Sequence, residues 1–505
     1  MYLQALAKAI ELGGKAIVLV PEISLTPQTV RRFAERFPGR VAVMHSGLSL
    51  GEHFDVWQAV REGRYDVVIG PRSAIFAPQP DLSLIIVDEE HEWTYKQEEM
   101  TPRYDARLVA AKLSELAGAA LVMGSATPSV ESYYHATAGR YRLLELPFRV
   151  QPTAVGIKEA PLPAVEVVDL REELRAGNRG SFSRRLLKAL DSVLSAGEQA
   201  ILFLNRRGSA AFAQCRDCGY VPACSRCAVS LSYHSSDSAA PRLLCHHCNR
   251  SLALPPVCPR CGGPRLRLLG SGTERIEAEV RSHFPGVRTL RWDRDTARRP
   301  SDHERILSGF LAHEADVLVG TQMLAKGLDM PRVTLVGIVS ADIALHLPDF
   351  RASERTFQVL EQVAGRAGRG ERPGRVVVQT YSPDHPAIAA AANHDYARLY
   401  QQEVRLRERL RYPPFGRLVR LTLLHGGQSS AEEEALKRTA YLKEECLRQG
   451  LPDLDILGPA PGSPPRLRGR WRWNITLRGR EPAALLRQTR LPQGWQVDVD
   501  PGSLL

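Results

Sequence analysis

The chain has 505 residues, of which 44% are hydrophobic and 24% charged, and its formal net charge is +11 at pH 7. This composition is typical of a soluble globular protein with room for two to four domains. It excludes a bilayer-spanning segment, because no uninterrupted apolar stretch is long enough, and the amphipathic start is unlike a signal peptide. We therefore expect a cytoplasmic protein, and the excess positive charge indicates a polyanionic partner.

The start of the chain predicts a helix over Tyr2–Leu12 and a strand over Ala16–Val20. Between them, Gly13-Gly14-Lys15 superficially resembles a phosphate-binding loop. Such a loop follows a strand, opens a helix, and carries Ser or Thr after its lysine. Here the order is reversed and Ala16 has no hydroxyl, and no other G-x-x-x-x-G-K-[ST] stretch occurs in the sequence. We therefore predict that the sequence contains no phosphate loop.

Leu84–His91, LIIVDEEH, combines four apolar residues with four polar ones. A short apolar run that ends in charge predicts a buried parallel strand whose carboxyl end opens onto a ligand crevice. In nucleotide hydrolases, one carboxylate at such a strand end holds Mg²⁺ on the phosphates, and its neighbour orients or deprotonates the attacking water. Asp88 and Glu89 are the candidates for these roles. A solvated strand end is the alternative for an isolated acidic pair.

Several polar and aromatic residues near the ends of neighbouring strands suit a contact with single-stranded nucleic acid. Rings stack on bases, cations meet phosphates, and small polar residues at strand ends can approach the backbone. A surface loop around a packed tryptophan is the alternative for the segment after the DEEH sequence. The candidate DNA-binding residues are Arg72, Trp93, Tyr95, Lys96, Arg103, Ser125 and Thr127.

A second α/β unit is predicted from about Pro161 onward, because strand and helix patterns alternate again. Its predicted strands include Val165–Leu170, Ala200–Leu204 and Val333–Ser340. A cysteine cluster interrupts the alternation, which resumes near Leu268.

Eight of the nine cysteines form four C-x-x-C pairs, and this clustering in a cytosolic chain favours metal over disulfides. Eight thiolates complete two closed tetrahedral zinc sites, which leaves no open position for a catalytic water. An iron–sulfur cluster is the competing interpretation. We favour a crossed arrangement, first pair with fourth and second with third, and we expect His246 and His247 to be bystanders. The predicted ligands are Cys215, Cys218, Cys224, Cys227, Cys245, Cys248, Cys258 and Cys261.

A helix is predicted over Arg351–Ala367, and on it Gln362, Arg366 and Arg369 would share one face at i, i+4 and i+7. Two guanidinium groups pointing the same way suit the γ-phosphate of a nucleotide, as an arginine finger supplied by the same chain. A solvated basic helix end is the alternative.

The last stretch, from about Asn393, predicts a small α+β domain that ends in a strand over Trp495–Val499. Within it, Arg466–Arg480 alternates cations with apolar residues, which indicates a strand with one basic face. Trp471 and Trp473 suit either base stacking or a packed core beneath that face.

Four motifs, IIVDEEH, LVMGSATPS, GTQMLAKGLD and QVAGRAGR, occur in the order found in superfamily 2 helicases. The eight-cysteine insertion, together with VLVPEISLTPQ and DRDT, resembles one family in particular: the primosomal protein N′ (PriA) replication-restart helicases. RYPPF and VDVDP near the end are also similar to that family. The resemblance runs from about residue 2 to residue 501.

The resemblance implies an α/β fold with two RecA-like parallel-sheet lobes, the first truncated at its N-terminus, a two-zinc insertion in the second lobe, and a small C-terminal α+β domain. It implies that Asp88 and Glu89 are the Walker B pair and that Arg366 and Arg369 are the fingers, with Gln362 in the same motif. Gly320, Thr321, Lys326, Gly327 and Asp329 would couple nucleotide to DNA. The expected domains are lobe 1 (1–148), lobe 2 (161–213 and 265–392), the cysteine-rich insertion (214–264) and the C-terminal domain (393–505).

The family resemblance also implies cofactors, partners and an activity. The cofactors are two structural Zn²⁺ ions and ATP with Mg²⁺. The partners are single-stranded and forked DNA, other primosome proteins, single-strand-binding protein and the replicative helicase with its loader, without a membrane. The activity is ATP-dependent 3′–5′ helicase action in replication restart at stalled forks. Members of the family carry a DNA-binding region and a phosphate loop before the position that corresponds to Met1, so the chain resembles the C-terminal portion. The alternative is therefore a non-catalytic DNA-binding and helicase-loading scaffold.

We predict that this 505-residue polypeptide by itself hydrolyses ATP poorly or not at all, because the lysine and hydroxyl of a phosphate loop are the main ligands of the β- and γ-phosphates and Mg²⁺. The measurement is phosphate release with and without single-stranded DNA, with Glu89→Gln as the background control. Robust DNA-stimulated turnover above that control would contradict the prediction.

Overall fold

The computed structural model describes residues 1–21, 27–153, 156–204, 212–236, 239–269, 272–293, 295–297, 299–321, 324, 330–368 and 372–504. The chain divides into two compact units, Met1–Tyr133 and Tyr134–Leu505. Within the described ranges, no helix combines the length and the apolar character needed to cross a bilayer.

The first unit is built on a five-stranded sheet in which every strand pair is parallel, in the order β2-β3-β1-β4-β5. A short 3₁₀ turn, Arg72–Phe76, follows the third strand, and another, Trp93–Tyr95, follows the fourth. Its elements are α1 (Tyr2–Glu11), β1 (Lys15–Leu19), α2 (Pro27–Arg36), β2 (Val41–Val43), α3 (Leu50–Arg61), β3 (Val67–Gly70), β4 (Leu82–Asp88), α4 (Ala106–Ala117), β5 (Ala120–Gly124) and α5 (Val130–Thr137), the last of which contains the boundary between the units.

Both faces of this sheet are buried, because successive side chains along each strand point to opposite faces and nearly all of them are apolar. Along β4, Ile85 and Val87 join one hydrophobic cluster, with residues of α3 and α4. Leu84 and Ile86 join the other cluster, with residues of α1 and α2. The apolar run that predicted a buried parallel strand is thus sandwiched between two helical layers, and its polar tip emerges at the sheet edge.

The second unit contains a second parallel sheet of six strands in the order β15-β16-β9-β17-β18-β8, again covered by helices on both faces. We call it the parallel-sheet part. Its elements are β8 (Ala164–Asp169), α6 (Leu170–Arg175), α7 (Arg184–Ser195), β9 (Gln199–Leu204), α8 (Thr273–His283), β15 (Thr289–Trp292), α9 (Pro300–Leu311), β16 (Val317–Gly320), β17 (Val333–Ser340), α10 (Asp342–Leu345), α11 (Ala352–Ala364), β18 (Arg375–Thr380) and α12 (Pro386–Ala392). A two-stranded ribbon, β6 (Arg149–Thr153) with β7 (Gly156–Ala160), precedes it.

Two antiparallel sheets complete the second unit. The cysteine module lies between β9 and α8 and contains β10 (Phe212–Cys215), β11 (Ser232–Ser236), β12 (Ala239–Leu244), β13 (Ser251–Ala253) and β14 (Leu266–Leu269). The C-terminal sheet has the order β20-β21-β19-β22. The C-terminal region, or C-terminal domain, that contains this sheet comprises α13 (Tyr396–Leu410), β19 (Arg417–His425), α14 (Gln428–Arg448), β20 (Asp455–Leu467), β21 (Arg470–Gly479), α15 (Ala483–Arg487) and β22 (Trp495–Val499). The predicted fold class, two parallel α/β sheets with a cysteine-rich insertion and a C-terminal α+β domain, is confirmed.

Two predicted elements are wrong in their bounds. The helix expected over Arg351–Ala367 ends at Ala364, and the chain turns through Gly365. A side chain at Gly368, which has φ +67°, would collide with the backbone of Gly374 at 2.3 Å, so the close approach of two backbone segments ends the helix. The single basic strand expected over Arg466–Arg480 is a hairpin, because the chain reverses between β20 and β21 at Gly469, where φ is +83°.

A buried ion pair connects α13 to α11 in the second unit. The Nη2 of Arg407 lies 2.6 Å from Oε2 of Glu354, and the two side chains are 1% and 3% exposed. Glu403 lies one helical turn before Arg407, with its carboxylate 3.5 Å from the guanidinium. Removal of one member of a buried pair leaves an uncompensated charge in the core, which is far costlier than the loss of an exposed pair.

We therefore predict that Glu354→Ala lowers the free energy of unfolding of the second unit by about 3 kcal/mol. The measurement is urea unfolding monitored on this unit, and the matched control is Glu408→Ala, at an exposed position of α13, which we expect to change stability little. Equal effects of the two substitutions would contradict the prediction.

Candidate functional site

Asp88 is the last residue of β4, at the carboxyl end of the first sheet. The phenol of Tyr2, on α1, donates a hydrogen bond of 3.0 Å to its Oδ1, and the hydroxyl of Tyr95 donates one of 2.7 Å to its carbonyl oxygen. Burial raises the pKa of Asp88 above its usual range, while the hydrogen bond from Tyr2 acts in the opposite direction. The carboxyl group is therefore held in a fixed orientation by a neutral donor.

Glu89 and Glu90 point in different directions after the strand. Glu89 has φ +48°, a left-handed conformation that is uncommon for a residue with a side chain. Glu90 is buried and accepts hydrogen bonds from the amide of Ser129 at 2.6 Å and the hydroxyl of Ser132 at 2.8 Å. Burial raises the pKa of Glu90, and the charge of Arg107 opposes that rise. Glu90 therefore anchors the strand end to the turn after β5, while Glu89 keeps one third of its side chain accessible (33%).

His91 completes the DEEH sequence and connects it to the turn that follows β5. Its Nδ1 lies 2.6 Å from the hydroxyl oxygen of Ser125 and 3.6 Å from Oε2 of Glu89. Because β4 and β5 pair in parallel from Leu84 with Ala120 to Asp88 with Gly124, both polar tips emerge at the same edge. The first unit thus presents two carboxylates and a histidine–serine contact at one sheet edge.

The candidate DNA contacts differ in their exposure. Trp93 is 37% exposed, whereas Tyr95 is 1%, Lys96 4% and Thr127 2% exposed. The ring of Tyr95 belongs to the hydrophobic core beneath α4, and its hydroxyl group supports Asp88 by a hydrogen bond. Base stacking by Tyr95 stays a prediction. Direct contact of Lys96 and Thr127 with a strand stays a prediction too.

The remaining candidates of the first unit hold its loops together. The Nη1 of Arg72 donates to the carbonyl oxygen of Thr94 at 3.0 Å, which fixes the turn that carries Trp93. The Nε of Arg103 donates to the carbonyl oxygen of Glu98 at 2.8 Å. Ser125 accepts a hydrogen bond from the amide of Thr127 at 2.9 Å. The DNA-binding roles of Arg72, Arg103 and Ser125 stay predictions.

In the second unit, those predicted nucleotide residues that the structure describes lie at or near strand and helix ends. Gly320 ends β16, and a side chain there would meet the carbonyl oxygen of Trp292 at 2.6 Å. Gln362 lies on α11, whereas Arg366 is buried in the turn after that helix, so the proposed shared helix face is wrong. Thr321 directly follows β16, and the predictions for Lys326, Gly327, Asp329 and Arg369 fall outside the described residues.

The eight cysteines of the cysteine module lie in two groups of four. The first cluster is Cys215, Cys218, Cys258 and Cys261, and the second cluster is Cys224, Cys227, Cys245 and Cys248; within each, the sulfur atoms lie within 4.8 Å of one another. The crossed pairing is therefore confirmed.

The spacing of the sulfur atoms supports a metal. The Sγ atoms of Cys215 and Cys261 are 3.7 Å apart, and those of Cys224 and Cys248 are 3.6 Å apart. A tetrahedron of thiolates with Zn–S bonds of about 2.3 Å has edges of roughly 3.8 Å, whereas a disulfide has sulfur atoms about 2.0 Å apart. Both clusters thus have the size and ligand chemistry of closed, structural zinc sites.

His246 and His247, expected to be bystanders, hold the second cluster to other parts of the second unit. The Nδ1 of His246 lies 2.8 Å from the carbonyl oxygen of Pro461 in β20, and the Nε2 of His247 lies 3.0 Å from the carbonyl oxygen of Pro348. Burial lowers the pKa of His246 to about 4, so this imidazole is neutral at pH 7. No sequence pattern distinguished these contacts, because the partners are backbone carbonyl groups distant along the chain.

We predict that the purified chain holds two zinc ions and that Cys218→Ser combined with Cys261→Ser removes one of them, because both thiolates belong to the first cluster. If consecutive C-x-x-C units shared a site instead, these two residues would lie in different sites, and the double substitution would remove both zinc ions. The measurement is zinc content by native mass spectrometry, and Cys446→Ser, outside both clusters, is the control that retains two.

Comparison with known protein families identifies helicase domains. Residues 1–135 match the DEAD/DEAH box helicase family, residues 273–371 the helicase conserved C-terminal domain, and residues 408–502 the primosomal protein N C-terminal domain. Among solved structures, that of RecG bound to a three-way DNA junction is similar at 16% identity with a TM-score of 0.43, and the match covers 80% of this chain and 41% of that chain.

Two relatives extend the match over nearly the whole chain. The replication restart protein PriA of Bacillus subtilis (strain 168) is 47% identical over 485 residues, which are 96% of this chain and 58% of that protein. The replication restart protein PriA of Treponema pallidum (strain Nichols) is 41% identical over 516 residues, which cover 100% of this chain and 75% of that protein. The chain thus spans less than two thirds of the length of the first relative. Its motifs, its two cysteine clusters and these matches together show that the chain belongs to the replication restart protein PriA family.

Proposed function

We propose that the chain forms the nucleotide-hydrolysing and DNA-translocating portion of a replication-restart helicase that moves 3′ to 5′ along single-stranded DNA. The observation that carries the proposal is the edge of the first sheet, where Asp88 is fixed by Tyr2 and His91 contacts Ser125. A carboxylate at the carboxyl end of a buried parallel strand is where α/β nucleotide hydrolases hold their metal.

Each residue at this edge has a chemical task in the proposed reaction. Asp88 would hold Mg²⁺, which supplies charge neutralisation on the phosphates when bound. The hydrogen bond from Tyr2 favours the ionised carboxyl that such a ligand needs, against the effect of burial. Glu89, whose side chain is partly accessible, would orient or deprotonate the attacking water.

The second unit would supply cations and coupling residues. Arg366 and Arg369 would stabilise the developing charge on the transferred phosphoryl group, with Gln362 in the same motif. Gly320, Thr321, Lys326, Gly327 and Asp329 would couple nucleotide binding to DNA. The DNA strand would be held by Arg72, Trp93 and the neighbouring candidates of the first unit, through base stacking and phosphate contacts.

The proposal includes a cellular setting. Forked and single-stranded DNA, other primosome proteins, single-strand-binding protein and the replicative helicase with its loader are the proposed partners, in the cytoplasm. The two zinc ions would have a structural role, since four thiolates close each site.

A second candidate function is a DNA-binding and helicase-loading scaffold without turnover of ATP. It is favoured by the sequence itself, in which no G-x-x-x-x-G-K-[ST] motif occurs. In that case the cysteine module and the C-terminal domain would hold DNA and partner proteins, and Asp88 and Glu89 would be structural.

Strand displacement on tailed duplexes distinguishes the two functions. The motor predicts ATP-dependent displacement from a 3′-tailed but not a 5′-tailed substrate, and Glu89→Gln should reduce it by about 100-fold or more with unchanged DNA affinity. Equal DNA binding by the unsubstituted chain and by Glu89→Gln, with no displacement by either, supports the scaffold. Displacement that persists in Glu89→Gln would contradict the assigned role of this residue.

A further inference from the structure

The two cysteine clusters of the second unit have different surroundings. In the first cluster Cys215 and Cys258 are buried, but Cys261 is exposed. In the second cluster Cys224, Cys227 and Cys245 are each at most 2% exposed. These three cysteines belong to a hydrophobic cluster that also contains Phe350 of the parallel-sheet part and Tyr412, Leu418 and Leu504 of the C-terminal region. The second cluster therefore lies where three parts of the chain share one core.

The two residues between the ligands Cys245 and Cys248 each contact another part of the second unit, and His246 also contacts His234 of β11 at 3.1 Å. His246 contacts the carbonyl oxygen of Pro461 in the C-terminal sheet at 2.8 Å. His247 contacts the carbonyl oxygen of Pro348 at 3.0 Å and the hydroxyl oxygen of Tyr412 at 3.4 Å. One C-x-x-C turn thus bonds to the parallel-sheet part and to the C-terminal region at once.

Tyr412 is the point where the three parts meet. Its ring stacks on that of Phe350, with centroids 4.4 Å apart and planes at 4°. The guanidinium of Arg478, on β21, lies 5.0 Å from the centroid of the Tyr412 ring. The phenol is buried, at 1% exposure, and its hydroxyl group faces His247. A shift of His247 therefore leaves a buried hydroxyl group without this partner, which is costly.

The first cluster is attached elsewhere. Gln214, next to Cys215, donates through Nε2 to Oδ1 of Asp342, the first residue of α10, at 2.9 Å. A side chain at Gly219 would lie 2.3 Å from the carbonyl oxygen of Tyr381, just beyond β18, so the backbone of the turn packs directly on that strand end. These contacts join the first cluster to the parallel-sheet part.

A metal held by both cysteines of a C-x-x-C turn fixes the two residues between them, because the free energy of metal binding is also the folding free energy of the turn. We propose that the second metal site is a joint that docks the C-terminal domain onto the parallel-sheet part, in addition to the buried ion pair of Arg407 with Glu354, and that the first site has no such role. His246 and His247 are the positioning residues of this joint. The inference goes beyond the proposed function, since it holds whether or not the chain hydrolyses ATP.

Hydrogen exchange of the full 505-residue chain, read by mass spectrometry, tests the joint. One variant removes a turn of the second site (Cys245→Ser with Cys248→Ser), and the matched variant removes a turn of the first (Cys258→Ser with Cys261→Ser). Loss of the second site should accelerate exchange in residues 409–418 and 458–464 by roughly tenfold or more and leave β16 and β17 unchanged. Loss of the first site should leave both segments as in the unsubstituted chain. Equal acceleration by both variants, or by neither, overturns the proposal.

A milder substitution keeps the proposal falsifiable if the double variants unfold. His247→Ala leaves all eight thiolates in place and should retain two zinc ions by native mass spectrometry while residues 409–418 exchange faster. Tyr412→Phe, which removes only the hydroxyl group, should act in the same direction to a smaller extent. His313→Ala, outside the cysteine module, is the control. Unchanged exchange of residues 409–418 in His247→Ala, with or without loss of a metal ion, overturns the proposal.

Discussion

Parallel strand pairing is the constraint on which the candidate site of the first unit depends. Because β1, β4 and β5 run in the same direction, the residues just beyond the carboxyl ends of these strands emerge at one edge of the sheet. The apolar strand interiors are committed to two buried faces, so polar chemistry is confined to that edge. Ser125 is therefore a neighbour of Asp88 and His91 in space, although it lies 34 residues beyond His91 in the sequence.

The polar groups at this edge are held by a small number of satisfied contacts. Glu90 is fully enclosed, yet the amide of Ser129 and the hydroxyl of Ser132 meet its carboxylate, and Arg107 donates to its carbonyl oxygen at 2.9 Å. A buried carboxylate without such donors would be expensive to maintain. The third acidic residue of the DEEH sequence, Glu90, thus binds the strand end to the adjacent turn, and Asp88 and Glu89 remain available for the proposed chemistry.

Much of the fold could be predicted from local patterns. The apolar run before Asp88 and the strand Val333–Ser340 were recognised because buried parallel strands are short and continuously apolar. The cysteine clusters were recognised because four equal pairs complete two tetrahedra, and crossed pairing gives both clusters their observed members.

Features that depend on contacts between residues distant in sequence could not be predicted from local patterns. The end of α11 depends on the approach of Gly374 to Gly368, the burial of Tyr95 depends on α4 above it, and the roles of His246 and His247 depend on carbonyl groups up to 215 residues away. The contacts of Tyr2 with Asp88, and of Ser129 and Ser132 with Glu90, also join residues distant in sequence, and no local pattern indicated them.

Gly124, the last residue of β5, sets the position of a group that belongs to another element. A β-carbon built at this residue would lie 1.7 Å from the phenolic oxygen of Tyr2, so the aromatic ring occupies the volume that any larger residue would fill. Gly124 on β5 thereby determines whether Asp88, at the end of the neighbouring strand β4, keeps the hydrogen bond from Tyr2. An alanine at this place would displace the ring, and Asp88, still enclosed, would hold its proton more tightly. The pKa of Asp88 thus depends on the absence of a side chain at residue 124, one strand away.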